Sequence, residues 1–170
     1  MLKLILCAVL VAAGAGGGVW FSHHYQARVR QLDQCDIFLS RLQTNLGMEQ
    51  LTTRELFARL AGTESLRELT FIGETAKGLE TSIVFPEVWR ESLRRSRGEL
   101  ALREDDYRLL DQLAELVGAY DAPTQTQGLE VTRQLLRENA EQALEQNRTN
   151  GKLSRSLGLL SGIAAAILIL

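Results

Sequence analysis

The chain has 170 residues, enough for one domain, with a formal net charge of -2 and a pI near 5.8. That balance leaves no electrostatic footprint for nucleic acid. Its two cysteines, Cys7 and Cys35, exclude a disulfide framework or a metal knot, because one lies inside a hydrophobic run and the other well outside it; both read as reduced thiols packed as small hydrophobes.

Apolar residues make up 45% of the chain, and they crowd the two ends. Leu4 to Phe21 carries no charge, and as a helix it reaches about 27 Å, close to the ~30 Å of a bilayer's hydrocarbon core. Trp20 and Tyr25 stand where an interfacial aromatic belt would lie. A cleaved leader is the rival reading, with Lys3 as its basic start and Ala13-Gly14-Ala15 as a small-residue cleavage site. The apolar run continues past that point to Phe21, so a retained anchor over residues 1–21 is the expectation.

His23 and His24 follow at the boundary, with no carboxylate or cysteine beside them to make a metal site. Leu32, Cys35, Leu39, Leu42 and Leu46 then step by three and four, the seam of a helix that ends at Gly47. Thr52 and Glu55 read as a capping box that opens a second helix, with Leu56, Phe57 and Leu60 inside and Gly62 closing it. Ser65 is the expected cap of a third, burying Leu66, Leu69, Phe71 and Ile72.

Phe85-Pro86 marks a break and a new helix start. Trp89 and Leu93 are its core positions, and Arg90, Arg94, Arg95 and Arg97 form a basic cluster. The cluster reads as a solvated face balanced by Glu91 and Glu99, or as a docking surface for an acidic partner. Glu104-Asp105-Asp106 suits a helix N-terminus, and Tyr107, Leu110, Leu113, Ala114 and Val117 continue that helix to Gly118. Asp121 should cap a last long helix, with Leu129, Thr132, Leu135, Leu136, Ala140, Ala143 and Leu144 as its inward stripe. No phosphate loop, zinc spacing, nucleophile elbow or dinucleotide fingerprint occurs. The acids at 104–106 lack an accompanying base, nucleophile or metal ligand. No catalytic residue, cofactor site, metal site or small-molecule substrate is therefore expected.

Leu157 to Leu170 is the second apolar end, about 21 Å as a helix. It spans a bilayer only with local thinning and with Arg155 snorkelling, and otherwise rests in one leaflet. The inner flanks carry Arg28 and Arg30 on one side and Arg148, Lys152 and Arg155 on the other, with no acid in either. By the positive-inside rule the middle is cytoplasmic, and these bases can also grip anionic lipid. Gly14 and Gly18, and Gly158 and Gly162, repeat the four-residue spacing that lets helices approach closely in lipid. The expected protein is all-α: a helical, bundle-like cytoplasmic domain over residues 22–156, flanked by membrane helices at 1–21 and 157–170.

Taken together these segments resemble the stage III sporulation protein AB family of endospore-forming bacteria. Leu2-Lys3-Leu4-Ile5 resembles its start, and Arg28-x-Arg30-Gln31-Leu32 its first segment after the membrane. Trp89 fits its helical centre; Asp105-Asp106, Leu109, Leu113 and Val117-Gly118-x-x-Asp121 fit its later helix pair. The densest likeness is the tail, Asn150-x-Lys152-Leu153-x-Arg155-Ser156-Leu157-Gly158-x-Leu160-x-Gly162. Ser154 departs from the family's usual aromatic, Ala164 to Ala166 are smaller than its usual residues, and the first anchor is unusually rich in glycine. The resemblance implies a component of an envelope-spanning, secretion-like complex linking mother cell and forespore, placed in the mother-cell membrane around the forespore. It implies a likeness to the platform protein of type II secretion, with a cytoplasmic secretion-type ATPase and other membrane components of the complex as partners. A membrane-anchored signalling adaptor is the alternative that the residues alone leave open.

Overall fold

The computed structural model describes residues 26–45, 51–117 and 122–169, with the last helix given as backbone alone at residue 122 and beyond residue 148. Every regular element in those stretches is helical: α1 (26–44), α2 (Thr53–Ala61), a 3-10 turn (Glu64–Leu66), α3 (Thr70–Thr81), α4 (Phe85–Ser96), α5 (Glu104–Asp111), α6 (Leu113–Leu116) and α7 (Ala122–Ile169). The all-α expectation therefore holds for the described chain. Among the described residues no helix is long and apolar enough to cross a membrane. The N-terminal run over residues 1–21 lies outside them, as do Gly118 and Asp121, named above as helix stop and cap.

Arg30–Ala140 forms one compact unit. Its core begins with the seam of α1, where Leu32, Cys35, Phe38, Leu39 and Leu42 are buried. Phe38 joins Phe57 of α2, Phe71 of α3 and Phe85 and Trp89 of α4 in one aromatic cluster, each ring centroid 5.3 to 5.8 Å from the Trp89 ring. The Trp89 indole N–H donates to the Leu110 carbonyl of α5 at 2.8 Å. A buried indole needs such an acceptor, since an unmet N–H in an apolar site is costly.

Local signals explain most of the boundaries. Thr52 and Glu55 close the expected capping box, Thr52 Oγ1 accepting from the Glu55 amide and Glu55 Oε2 from the Thr52 amide. Gly62 ends α2 as expected, and Pro86 stands in the first turn of α4.

Three expectations need correction. The helix assigned to Ser65 begins only at Thr70, and the Glu68 amide, the donor that a Ser65 cap would have received, goes instead to Gln34 Oε1 of α1 at 3.1 Å. The helix expected to run from Tyr107 to Gly118 breaks at Gln112 into α5 and α6. The break follows Leu110, whose carbonyl serves Trp89. In α7, Leu129, Thr132, Leu136 and Ala143 are buried as expected, but Leu135 and Leu144 are 38% and 40% exposed. Leu135 stands about 100° round the helix from Leu136, which is fully buried, and so falls at the edge of the inward stripe.

α7 is tied to α1 by charge as well as by packing. Asp36 accepts from Arg133 at 2.7 Å and from Arg137 at 2.6 Å. Partial burial alone would raise the Asp36 carboxyl, but the two guanidinium hydrogen bonds outweigh it and hold the group below its ordinary value.

Two outcomes are expected. Trp89→Phe keeps a ring in the cluster but strips the Leu110 carbonyl of its donor, so it should cost about 2 kcal/mol in chemical denaturation, against roughly 3–5 for Trp89→Ala. The Asp36 contribution should be complete above pH 3.8, its unfolded value, and vanish as pH falls through its lower folded value. Asp36→Asn should therefore remove part of the stability lost as pH falls below 3.8 in an acid unfolding series.

Candidate functional site

α4 places its basic residues by helical geometry. Trp89, Ser92, Leu93 and Ser96 are buried, which leaves positions 90, 94 and 97 along one flank and position 95 on the other. Arg90, Arg94 and Arg97 line a groove of about 460 Å³ between α4 and α5, closed by Tyr107, Arg108 and Asp111. Arg95 lies on the α3 side, beside Glu74, Lys77 and Glu99. The structure thus brings three of the four cluster arginines together, separates the fourth, and adds Arg108 from α5.

Each guanidinium is matched by an acid. Arg94 binds Glu91 through two nitrogens at 2.8 and 2.7 Å, and Arg95 shares the same carboxylate at 2.7 Å. Those hydrogen bonds pull the Glu91 carboxyl down to about 2. Arg90 pairs with Glu115 and lies 3.4 Å from Asp111. Arg97 meets Glu104 at 3.1 Å, and its guanidinium sits 4.8 Å above the Tyr107 ring. Burial pushes the Tyr107 phenol up to about 12 despite the neighbouring Arg97. Balance was expected from Glu91 and Glu99; the structure assigns it to Glu91, Glu104, Asp111 and Glu115.

The side chains of Arg90, Arg94, Arg97 and Arg108 are 45 to 71% exposed. Exposed pairs of this kind contribute little to stability and trade partners readily. Chemically the groove is a row of planar donors whose present carboxylates can be exchanged for those of another molecule, which suits recognition of an acidic segment. Among the described residues no group of His, Cys, Asp and Glu is placed to hold a metal ion.

The membrane-flanking bases divide differently. Arg28 is buried, with a partner; Arg30 is exposed and pairs with Glu68 at 3.1 Å. Arg148 is exposed, and the side chains of Lys152 and Arg155 lie outside the described set. α7 includes Gly158 and Gly162, whose surroundings are not described, and Gly14 and Gly18 fall before the first described residue.

The family profile of stage III sporulation protein AB matches residues 3–170. The chain belongs to the stage III sporulation protein AB family. It is 26% identical to the stage III sporulation protein AB of Bacillus subtilis (strain 168) over 174 residues, covering 100% of both chains. No solved structure matches it. A role in sporulation follows from this family membership.

Periodicity and spacing do not mark Tyr107, Arg108 and Asp111 as groove walls. Arg108 had a local signal, since it follows Asp105 by three residues and pairs with it. The approach of α5 to α4 had none, because it depends on the Trp89–Leu110 hydrogen bond. Arg94→Ala and Arg97→Ala should leave the chemical denaturation midpoint essentially unmoved, because both side chains are more than half exposed. A clear loss of stability on either change would mean that the pairs hold the fold rather than a docking face.

Proposed function

We propose that this protein is a non-enzymatic membrane platform in the secretion-like complex that joins mother cell and forespore. Residues 1–21 and 157–170 anchor it in the mother-cell membrane around the forespore. Residues 22–156 form a cytoplasmic helical domain that docks a secretion-type ATPase and other membrane components. The observation that carries this reading is family membership along the whole chain. The placement is supported by five basic and no acidic residues in the two inner flanks. Docking is supported by the α4–α5 groove, whose exposed arginines can donate to carboxylates of a partner. The glycine pairs 14/18 and 158/162 suit a hairpin of the two anchors, which would fix the domain against the membrane.

The test has two arms. An exposed site such as Ser65, changed to cysteine, should be shielded from a membrane-impermeant thiol reagent in sealed cells and react after lysis; rapid labelling in intact cells would overturn the topology. Gln125 is unsuitable for this purpose because it is buried. Arg94→Glu with Arg97→Glu should lower co-purification with the ATPase by roughly tenfold or more, the equivalent of one lost hot-spot contact, and should block sporulation as a deletion does. Unchanged co-purification with a normally folded variant would remove the groove from the docking role and favour a signalling adaptor whose partners bind elsewhere.

A further inference from the structure

α7 presents a second face beside its buried stripe. Thr124, Gly128, Val131 and Leu135 follow one another by four, three and four residues, the spacing of a helix that packs on another helix. Val131 is 54% exposed and Leu135 38%. Thr124, Gly128 and Val131 also form the α7 wall of a largely apolar groove of about 610 Å³ between α6 and α7, with Gln112 and Leu116 opposite. Its floor is tight. A Cβ at Gly128 would stand 2.6 Å from Leu116 Cδ2, so Leu116 already rests against bare helix backbone.

The charge pattern of this strip is as informative as its shape. Charged residues make up 24% of the chain, yet over three turns this face offers only Thr124, Gln127, Gly128, Val131, Gln134 and Leu135. The charged residue on the groove wall, Glu115, is already held by Arg90. Depletion of charge at the centre of an exposed apolar patch is the mark of a protein contact.

We propose that this α6–α7 face binds the same face of a second copy of the chain. A charged partner would have to bury its charges against a strip whose groove lining carries a single charge, Glu115, already engaged by Arg90, which is costly. A second copy brings no unmatched charge. Knobs and socket also share one face, as a two-fold interface requires: Val131 and Leu135 of each copy enter the groove beside Gly128 of the other. The strip is only about 16 Å long. That falls short of the ~800 Å² per partner of a stable soluble dimer, so pairing is weak in dilute solution. It becomes strong where both copies are held in one membrane at high local concentration, and to that extent it rests on the anchoring proposed above.

The experiment uses the full chain, reconstituted in vesicles, with Cys7→Ser and with Val131→Cys as the probe; the native Cys35 is buried and does not report. Mild oxidation should give a disulfide-linked dimer. Glu99→Cys, an exposed site on another face, should give little. Adding Leu135→Glu should cut the Val131→Cys dimer by roughly tenfold, the loss expected of one central contact, with unchanged circular dichroism because Leu135 is not part of the core. A monomeric Val131→Cys protein, or equal yields with and without Leu135→Glu, would overturn the proposal. Anchoring is scored separately by alkaline extraction of the vesicles. A chain that washes off but still forms the Val131→Cys dimer at high protein concentration would sink the anchoring alone. A chain that stays in the membrane and fails to crosslink would sink the dimer alone.

Discussion

The Trp89 side chain, hydrogen-bonded through its indole to the Leu110 carbonyl and packed at the centre of an aromatic cluster, joins α4 to α1, α2, α3 and α5. Trp89 stacks on Phe38 from α1 and Phe85 from its own helix and meets Phe57 and Phe71 edge-on from α2 and α3. Each such pair adds roughly 0.5–1.5 kcal/mol to what its buried area supplies, and fixes angles that aliphatic contacts leave loose. The polar end of the indole then fixes α5. One side chain thereby specifies both the core and the separation between α4 and α5, and that separation is the arginine groove.

Short helices leave many backbone ends to satisfy, since the first amides and last carbonyls of each have no partner within the helix. Here α1 and Asn45, just past its end, supply much of the remedy. Gln31 Oε1 accepts from the Ala101 amide ahead of α5, Gln34 Oε1 from the Glu68 amide ahead of α3, and Asn45 Oδ1 from the Leu51 amide ahead of α2. Asp106, fully buried, accepts from the Arg103 amide and from Asn139 of α7. A chain with this aromatic core but aliphatic residues at 31 and 34 would bury two amides with nothing to receive them, at about 1–3 kcal/mol each.

Legibility in the sequence tracked the distance over which each feature is decided. The α1 seam from Leu32 to Leu42, the box at Thr52 and Glu55, the stop at Gly62 and the start at Pro86 are set within four residues, and the structure has them as the spacing predicts, while Leu46 and Gly47 lie outside the described residues. The start of α3, the break at Gln112 and the outward turn of Leu135 are set by partners 20 or more residues away or by a choice between adjacent leucines, and periodicity does not carry that information. The same holds at the candidate site. Arg90, Arg94, Arg95 and Arg97 were visible as a cluster, but only the fold separates Arg95 from the rest and adds Arg108.

Two sets of arginine–carboxylate pairs in this protein use one chemistry for opposite ends, and burial separates them. Arg133 and Asp36 are 19% and 23% exposed, and Asp36 is shared with Arg137 at 2.6 Å. Removing the acid would leave guanidinium groups partly withdrawn from water without a counter-charge, so that tie belongs to the fold. Arg94 and Glu91 are 71% and 39% exposed. Water and salt replace either partner there at little cost, so the pair cannot be holding the structure and is free to be exchanged. The docking role proposed above needs both kinds. In that role the less exposed pair would keep α7 seated on α1 while the exposed pairs along α4 are exchanged for a partner's carboxylates, and the rigidity of the first would lower the ordering cost of the second.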